Sequence, residues 1–289
     1  MKFQWEGRAI RQVPAEKITA VVRELCLEAN YRLALGMPEV MAEAAQSENF
    51  PMAKEIIKEL QANAEIAWAE SQPICQDTGM AIVIIELGQE VQITGGSLYL
   101  AVDEGVRQGY EEGYLRNSIV GDPILRRNTG DNTPAFIRVE IVPGDKVRIH
   151  LLPKGSGSEN VSRLAMLKPA QGVEGIKDFV LETMELAGGN ACPPYVVGIG
   201  IGGTFDGCAY LAKRALLRPV GEANSAQHIA MLEGELLTAI NGLGIGPQGF
   251  GGSQTALAVH IETAPTHIAC LPVAVNLSCH VLRHEVLEV

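Results

Sequence analysis

Residues 135–152 read AFIRVEIVPGDKVRIHLL. Apolar and polar side chains alternate on both sides of Pro143-Gly144-Asp145, the two-residue period of a half-buried strand, so the stretch predicts a hairpin. Just upstream, residues 80–95, MAIVIIELGQEVQITG, hold two extended apolar runs split by Gly88-Gln89-Glu90 and predict another hairpin. YVVGIGIGG (195–203), TALAVHIE (255–262) and HIACLPVAVN (267–276) also read as strands. Between and before these runs the period changes to helical. In residues 15–35, Ile18, Val22, Leu25, Cys26, Ala29 and Leu33 fall on one face. Further helices are predicted at 39–66, with a break at Pro51, and near 97–115, 174–188, 206–217 and 225–241. The pattern gives an α+β fold: a helical N-terminal part, about residues 1–70, packed on a mixed or antiparallel sheet core of about 71–289 with Gly-rich ligand loops. We read residues 1–289 as one domain.

Composition narrows the function. Of 289 residues 47% are hydrophobic, ample for a large core, and with 5% aromatics that core must rest on Ala, Val, Ile and Leu. The net charge of −11 excludes the basic field of a nucleic-acid binder. It leaves open an anionic small-molecule substrate, because a few Arg and Lys residues can set a local field. The N-terminus has no apolar signal core, and no run reaches the ~18 apolar residues of a membrane span, so a soluble, cytoplasmic protein is expected. There the six cysteines should be reduced, and none forms a C-x-x-C pair, which removes zinc ribbons and thioredoxin-like sites.

Five segments are too rich in glycine and polar residues for regular structure: QPICQDTG (72–79), NTGDNTPA (128–135), LPKGSGSEN (152–160), GGNACPPYVVGIGIGGT (188–204) and NGLGIGPQGFGGSQT (241–255). Such loops let a backbone approach a ligand closely. They are not nucleotide loops: Gly198, Gly200, Gly202 and Gly203 miss the G-x-G-x-x-G spacing, and no G-x-x-x-x-G-K-[ST] occurs. Three cysteines fall in or beside such turns: Cys75, next to Gln76 and Asp77; Cys192, before Pro-Pro; and Cys279, in VNLSCH. Cys26, Cys208 and Cys270 sit in apolar patterns and read as core. Three distant thiolates suit a metal centre better than a disulfide. Zinc would want a fourth protein ligand, whereas a cubane iron–sulfur cluster with three cysteines leaves one iron open.

The motifs PICQDTG, NTGDNTPA, PKGSGSEN, CPPYVVGIGIGGT, GPQGFGGSQTALAV and HIACLPVAVNLSCH together resemble the N-terminal catalytic part of the class I fumarate hydratases and their L-tartrate dehydratase relatives, over roughly residues 10–285. That resemblance implies an oxygen-sensitive [4Fe–4S] cluster on Cys75, Cys192 and Cys279. It also implies Gln76 and Asp77 in the substrate pocket, Arg116 clamping a substrate carboxylate, Gly157 touching substrate through its backbone, and His267 close to the active site. Family members in one chain continue into a domain that completes the site; this sequence stops at Val289. The expectation is therefore an α subunit with a separate β subunit, in an α2β2 assembly, dehydrating the small dicarboxylate (S)-malate to fumarate as in the tricarboxylic acid cycle. L(+)-tartrate dehydration is the alternative within the same chemistry, and a non-catalytic cluster protein, with Cys208 or Cys270 as fourth ligand, the alternative outside it. Asp77 is the first candidate for general acid/base work, with His267 helping or orienting it. Either residue also has a plain structural reading, Asp77 as an Asx turn and His267 as a core histidine. Arg126, Arg127, Lys154, Glu159, His280 and His284 are left without a role.

Overall fold

The computed structural model describes residues 10–289. In chain order the elements are β1 (Arg11–Pro14), α1 (Ala15–Tyr31), α2 (Met37–Ser47), α3 (Pro51–Ala69), β2 (Met80–Gly88), β3 (Val91–Thr94), α4 (Leu98–Glu112), β4 (Phe136–Val142) and β5 (Val147–Lys154). There follow α5 (Ser156–Glu159), β6 (Arg163–Leu167), α6 (Gly172–Ala187), β7 (Tyr195–Gly202), α7 (Phe205–Ala215), α8 (Gln227–Asn241), β8 (Ala256–Ala264), β9 (Leu271–Ser278) and β10 (Glu285–Glu288). This is an α+β chain with mixed sheets. Helices dominate before residue 70, and the break foreseen at Pro51 is there because proline opens α3, a position where its missing N–H costs nothing.

Neither predicted hairpin forms. β2 lies between β5 and β4 in the sheet order β10-β5-β2-β4, antiparallel to β5 and parallel to β4, so the Pro143-Gly144-Asp145 turn joins two strands that do not touch. β3 leaves β2 altogether and pairs in parallel with β1. The physical reason lies in β2, whose run Ala81–Ile85 is buried at every position. Such a strand needs a neighbour on each edge and cover on each face. β4, which has no fully buried position and exposes Phe136, Arg138 and Ile141, suits the sheet edge.

Two units make up the described chain. The first comprises the described residues up to Arg32, Glu70–Lys154 and Arg283–Val289. Its core packs α1 and α4 on the β10-β5-β2-β4 sheet through Ile18, Val22, Leu25, Val83, Ile85, Val102, Val106, Ile149 and Leu151. The second comprises Leu33–Ala69 and Gly155–Leu282, with the sheet order β6-β9-β7-β8. There α6 and α8 cover the sheet with Val180, Met184, Leu236 and Ile240 against Val197, Ile199, Ile261 and Val275. A Cβ on Gly200 would meet the Cys208 carbonyl at 2.1 Å, and one on Gly198 the Ala212 carbonyl at 2.2 Å. Gly198 and Gly200 thus sit inside β7 and admit α7 to close contact with the sheet.

Cys26 and Cys208 are fully buried, as expected. Cys270 is not a core residue: it is half-buried in the turn before β9, which begins at Leu271. His267 stands in the same turn and is exposed rather than a core histidine. The turn wins over the strand because Cys270 N–H bonds the His267 carbonyl at 2.8 Å and Ala269 N–H bonds its ring Nδ1 at 3.1 Å. Among the described residues no helix is long and apolar enough to cross a membrane.

Candidate functional site

Within the first unit, the strand registers gather the motif loops at one end of the sheet. Met80 pairs with Lys154, Ile82 with Phe136 and Leu151 with Glu285. The turn before β2, the NTGDNTPA loop before β4, the end of β5 and the segment before β10 therefore share that end. Here Cys75 Sγ accepts the Asp77 N–H at 3.4 Å, and one Asp77 carboxylate oxygen accepts the Gly79 N–H at 3.0 Å. Asp77 does form an Asx turn, and the turn is what aims its carboxylate. Buried Thr78 then locks this turn to the Arg116 main chain, its hydroxyl accepting from Arg116 N–H at 2.9 Å and donating to Arg116 C=O at 3.3 Å. Arg116 itself is exposed, and its guanidinium meets no partner among the described residues. The structure thus brings Cys75, Gln76, Asp77 and Arg116 together.

Beneath the turn lie residues that sequence reasoning missed. Buried Tyr110 places its hydroxyl 2.8 Å from the Thr78 carbonyl and 3.1 Å from that of Gly79. Asn132, fully buried, donates to the Gly79 carbonyl at 3.3 Å and accepts the Ser118 N–H at 2.7 Å. Arg283, only 3% exposed, donates through Nη2 to the Asp77 carbonyl. The NTGDNTPA motif was a signal for Asn132; nothing in the sequence singled out Tyr110 or Arg283.

The second unit gathers its loops in the same way. β7 and β6 both run antiparallel to β9, with Val196 opposite Ser278 and Arg163 opposite Val275, and Ala256 of β8 stands opposite Tyr195. The CPP turn before β7, the KGSGSEN loop before β6, the Gly-rich loop before β8 and Cys279 after β9 are therefore at one end. His280 N–H donates to the Cys192 carbonyl at 3.2 Å, which ties the two cysteine segments together. The His280 ring Nδ1 lies 3.1 Å from that same carbonyl and 3.1 Å from Gln248 Nε2. A carbonyl can only accept, so Nδ1 carries the proton there, and the Gln248 amide donates instead to the Pro193 carbonyl at 2.9 Å. Burial pushes the neighbouring Tyr195 phenol up to about 12, with Cys192 and Cys279 both adding to the shift. Cys192 adopts φ +57°, a left-handed conformation that a residue with a Cβ takes at a cost.

Glu159 does not stand ready to react: it is held by Lys213 and by Asn276 Nδ2, which donates to it at 2.8 Å and to Ser162 Oγ at 2.9 Å. These bonds fasten the KGSGSEN loop to β9. Gly157 is exposed in that loop, and a Cβ there would meet nothing within 4 Å, so packing does not require the glycine. Glu48 holds the Gly-rich loop, accepting Ser253 N–H at 2.7 Å. Burial would raise its pKa, but hydrogen bonds from Phe50, Ser253 and Asn49 outweigh it and bring the group below the usual range. His267 is at the opposite end of β9 from Cys279, and the strand between them is eight residues, about 26 Å, long. Its Nδ1 accepts the Ala269 N–H, so the neutral ring carries its proton on Nε2.

None of Cys75, Cys192 and Cys279 is fully buried and none is in a disulfide, so each thiol has the chemistry of an iron-binding thiolate; Cys75 stands in the loops of the first unit, Cys192 and Cys279 in those of the second. The two in the second unit are joined through His280. Among the described residues no three His, Cys, Asp or Glu side chains close on one another as a metal-binding group. Cys208 is no fourth ligand, because its thiol is fully buried against Ala212 and Ala274, donates to the Gly200 carbonyl at 3.1 Å and is pushed up to about 11 by burial.

With this geometry in hand, comparison with known proteins is direct. A family model described as "Fumarate hydratase (Fumerase)" matches residues 19–288. "Putative L(+)-tartrate dehydratase subunit alpha" of Methanocaldococcus jannaschii is 44% identical over 277 residues, covering 93% of this chain and 96% of that protein. "L(+)-tartrate dehydratase subunit alpha" of Escherichia coli (strain K12) is 30% identical over 283 residues, covering 96% of this chain and 93% of that protein. The class these matches define is that of the hydro-lyases, enzymes that remove water across a carbon–carbon bond. The chain belongs to the fumarate hydratase (Fumerase) family.

Proposed function

We propose that this chain is the α subunit of a two-chain [4Fe–4S] hydro-lyase that reversibly dehydrates (S)-malate to fumarate, working with a β subunit in an α2β2 assembly. The observation that carries the reading is the Thr78 lock, which holds the Cys75-Gln76-Asp77 turn against the main chain of Arg116. The lock holds one cysteine, one amide and one carboxylate beside the main chain of an exposed arginine, the groups that dehydration of a hydroxy diacid calls for.

Dehydration removes hydroxide from one carbon and a proton from its neighbour, which together leave as water. A cluster held by Cys75, Cys192 and Cys279 would supply an open iron, a Lewis acid toward the departing hydroxyl. Asp77, its carboxylate aimed by the Gly79 N–H, takes the C–H proton or returns it in hydration. Arg116 grips a substrate carboxylate with its planar fork, and Gln76 orients the diacid beside it. Gly157 offers its backbone from an unobstructed loop. His267 ranks second to Asp77 as acid/base candidate, because it precedes β9 whereas Cys279 follows it.

Tartrate is the second reading, favoured by the names of the relatives, whereas the family description favours fumarate. The two substrates differ by one hydroxyl, which a single pocket contact can discriminate. The test is anaerobic reconstitution of the chain with iron and sulfide, with and without its β partner, followed by kcat/KM for (S)-malate and L(+)-tartrate. The higher value assigns the substrate. Asp77→Asn should lower kcat at least about 100-fold with iron and sulfide content unchanged. A loaded complex that turns over neither diacid overturns the reading.

A further inference from the structure

Three successive carbonyls of the candidate site, those of Asp77, Thr78 and Gly79, are each met from below by a buried side chain. Tyr110 and Asn132 serve the second and third. The first, belonging to Asp77, is met by a full positive charge. Arg283 is 3% exposed, and its Nε and Nη1 are buried without a hydrogen-bond partner among the described residues. Among the described residues no carboxylate forms an ion pair with it. Burying an unpaired cation costs several kcal/mol, and an apolar residue of similar volume would fill the same space without that cost. Its one hydrogen bond among the described residues is to the main chain of Asp77.

We propose that Arg283 is a positioning residue for the dehydration: its guanidinium fixes the Asp77 peptide from inside the first unit and thereby sets where the Asp77 carboxylate points. It touches no substrate, being too deeply buried. A neutral donor such as those of Tyr110 and Asn132 binds a carbonyl more weakly than a cation does. The charged clamp falls at the residue whose orientation the chemistry depends on most. The role rests on the reading of Asp77 as acid or base.

Two variants of the assembled, cluster-loaded enzyme decide it, with rates normalised to iron content. Arg283→Gln should lower kcat at least about tenfold while KM stays within about threefold, because a misaimed group loses rate and not binding. Arg283→Lys keeps the charge without the fork and should recover part of that, leaving a loss of about threefold. Amide exchange on the chain without cluster gives an independent reading. Protection of residues 77–79 should fall about tenfold or more in Arg283→Gln while α1 and α4 keep theirs. Unchanged kcat in either variant, or exchange that rises evenly through the unit, overturns the proposal. If Arg283→Gln does not accumulate as folded chain, the Lys variant decides by the same two measurements. If the wild-type complex turns over neither malate nor tartrate, the proposed function has failed, and the exchange measurement alone judges Arg283.

Discussion

Gly79 is held at φ +73°, and a Cβ there would meet the Lys154 backbone at 2.7 Å. Gly79→Ala should therefore destabilise the chain by at least about 2 kcal/mol, from left-handed strain and overpacking together, seen as a lower urea midpoint; an unchanged midpoint would mean that the turn is not held as described. His284 makes a prediction about pH. Its Nε2 is buried without a hydrogen-bond partner among the described residues, and burial, with His150 nearby, pushes its pKa down to about 4. His150 in turn faces Glu86, with Nε2 3.8 Å from Oε1. In the unfolded chain a histidine titrates near 6.5, so between the two values the unfolded state holds the extra proton. Stability then rises with pH across that window, and it is lost as pH falls from about 6.5 toward about 4, by roughly 3 kcal/mol in all. Urea titrations at pH 7 and pH 5 check this: wild type should weaken on acidification, and His284→Leu should weaken less. Parallel losses would assign the acid sensitivity elsewhere. At this scale the sequence was legible in conformation, as at the irregular turns that hold Cys75, Cys192 and Cys279 outside the helices and strands. It was silent on Arg283, because a buried arginine looks like any other until its surroundings are known.

Elements were easier to recognise than their neighbours. Alternation in residues 135–152 identified β4 and β5 correctly as strands. Yet alternation reports only which face of a strand is buried, not which strand lies beside it, and β2 inserted itself between them. The continuous burial of Ala81–Ile85 was the available signal, since a strand apolar on both faces belongs inside a sheet. It follows that β2 and β4 should respond very differently to substitution. Ile85→Ala, at a fully buried position, should cost about 2–5 kcal/mol. Ile141→Thr on the edge strand, where the side chain is 74% exposed, should stay within about 0.5 kcal/mol. Equal losses would place β4 inside the sheet. β7 repeats the lesson. Its glycines looked like ligand-loop residues, but Gly200 faces the Cys208 carbonyl of α7, so Gly200→Ala should cost stability of about 1–3 kcal/mol by overpacking. A variant that keeps its urea midpoint and loses only activity would return β7 to the list of ligand loops.

Across the whole molecule, each unit collects its motif loops at one end of its own sheet, and the candidate cysteines are divided between them, Cys75 in the first and Cys192 with Cys279 in the second. Sequence order hides this because the chain enters the second unit, returns to the first and repeats the passage before Val289. The six thiols therefore report on the whole arrangement at once. Cys26 and Cys208 are buried and their thiols are raised by burial, so neither should react with an alkylating reagent in the native chain. Cys192 is exposed, and Cys75, Cys270 and Cys279 are half-buried, so these four should react, Cys192 first. Mass mapping after brief anaerobic iodoacetamide treatment, with and without reconstituted iron and sulfide, separates structure from ligation. Without iron, four sites should be labelled and two spared. With iron, Cys75, Cys192 and Cys279 should become protected while Cys270 reacts as before. Protection of Cys270 together with the other three would make it a fourth ligand, leave no iron open to substrate and remove the Lewis acid from the proposed reaction. Protection of Cys192 and Cys279 alone would confine the metal to the second unit and separate it from Asp77.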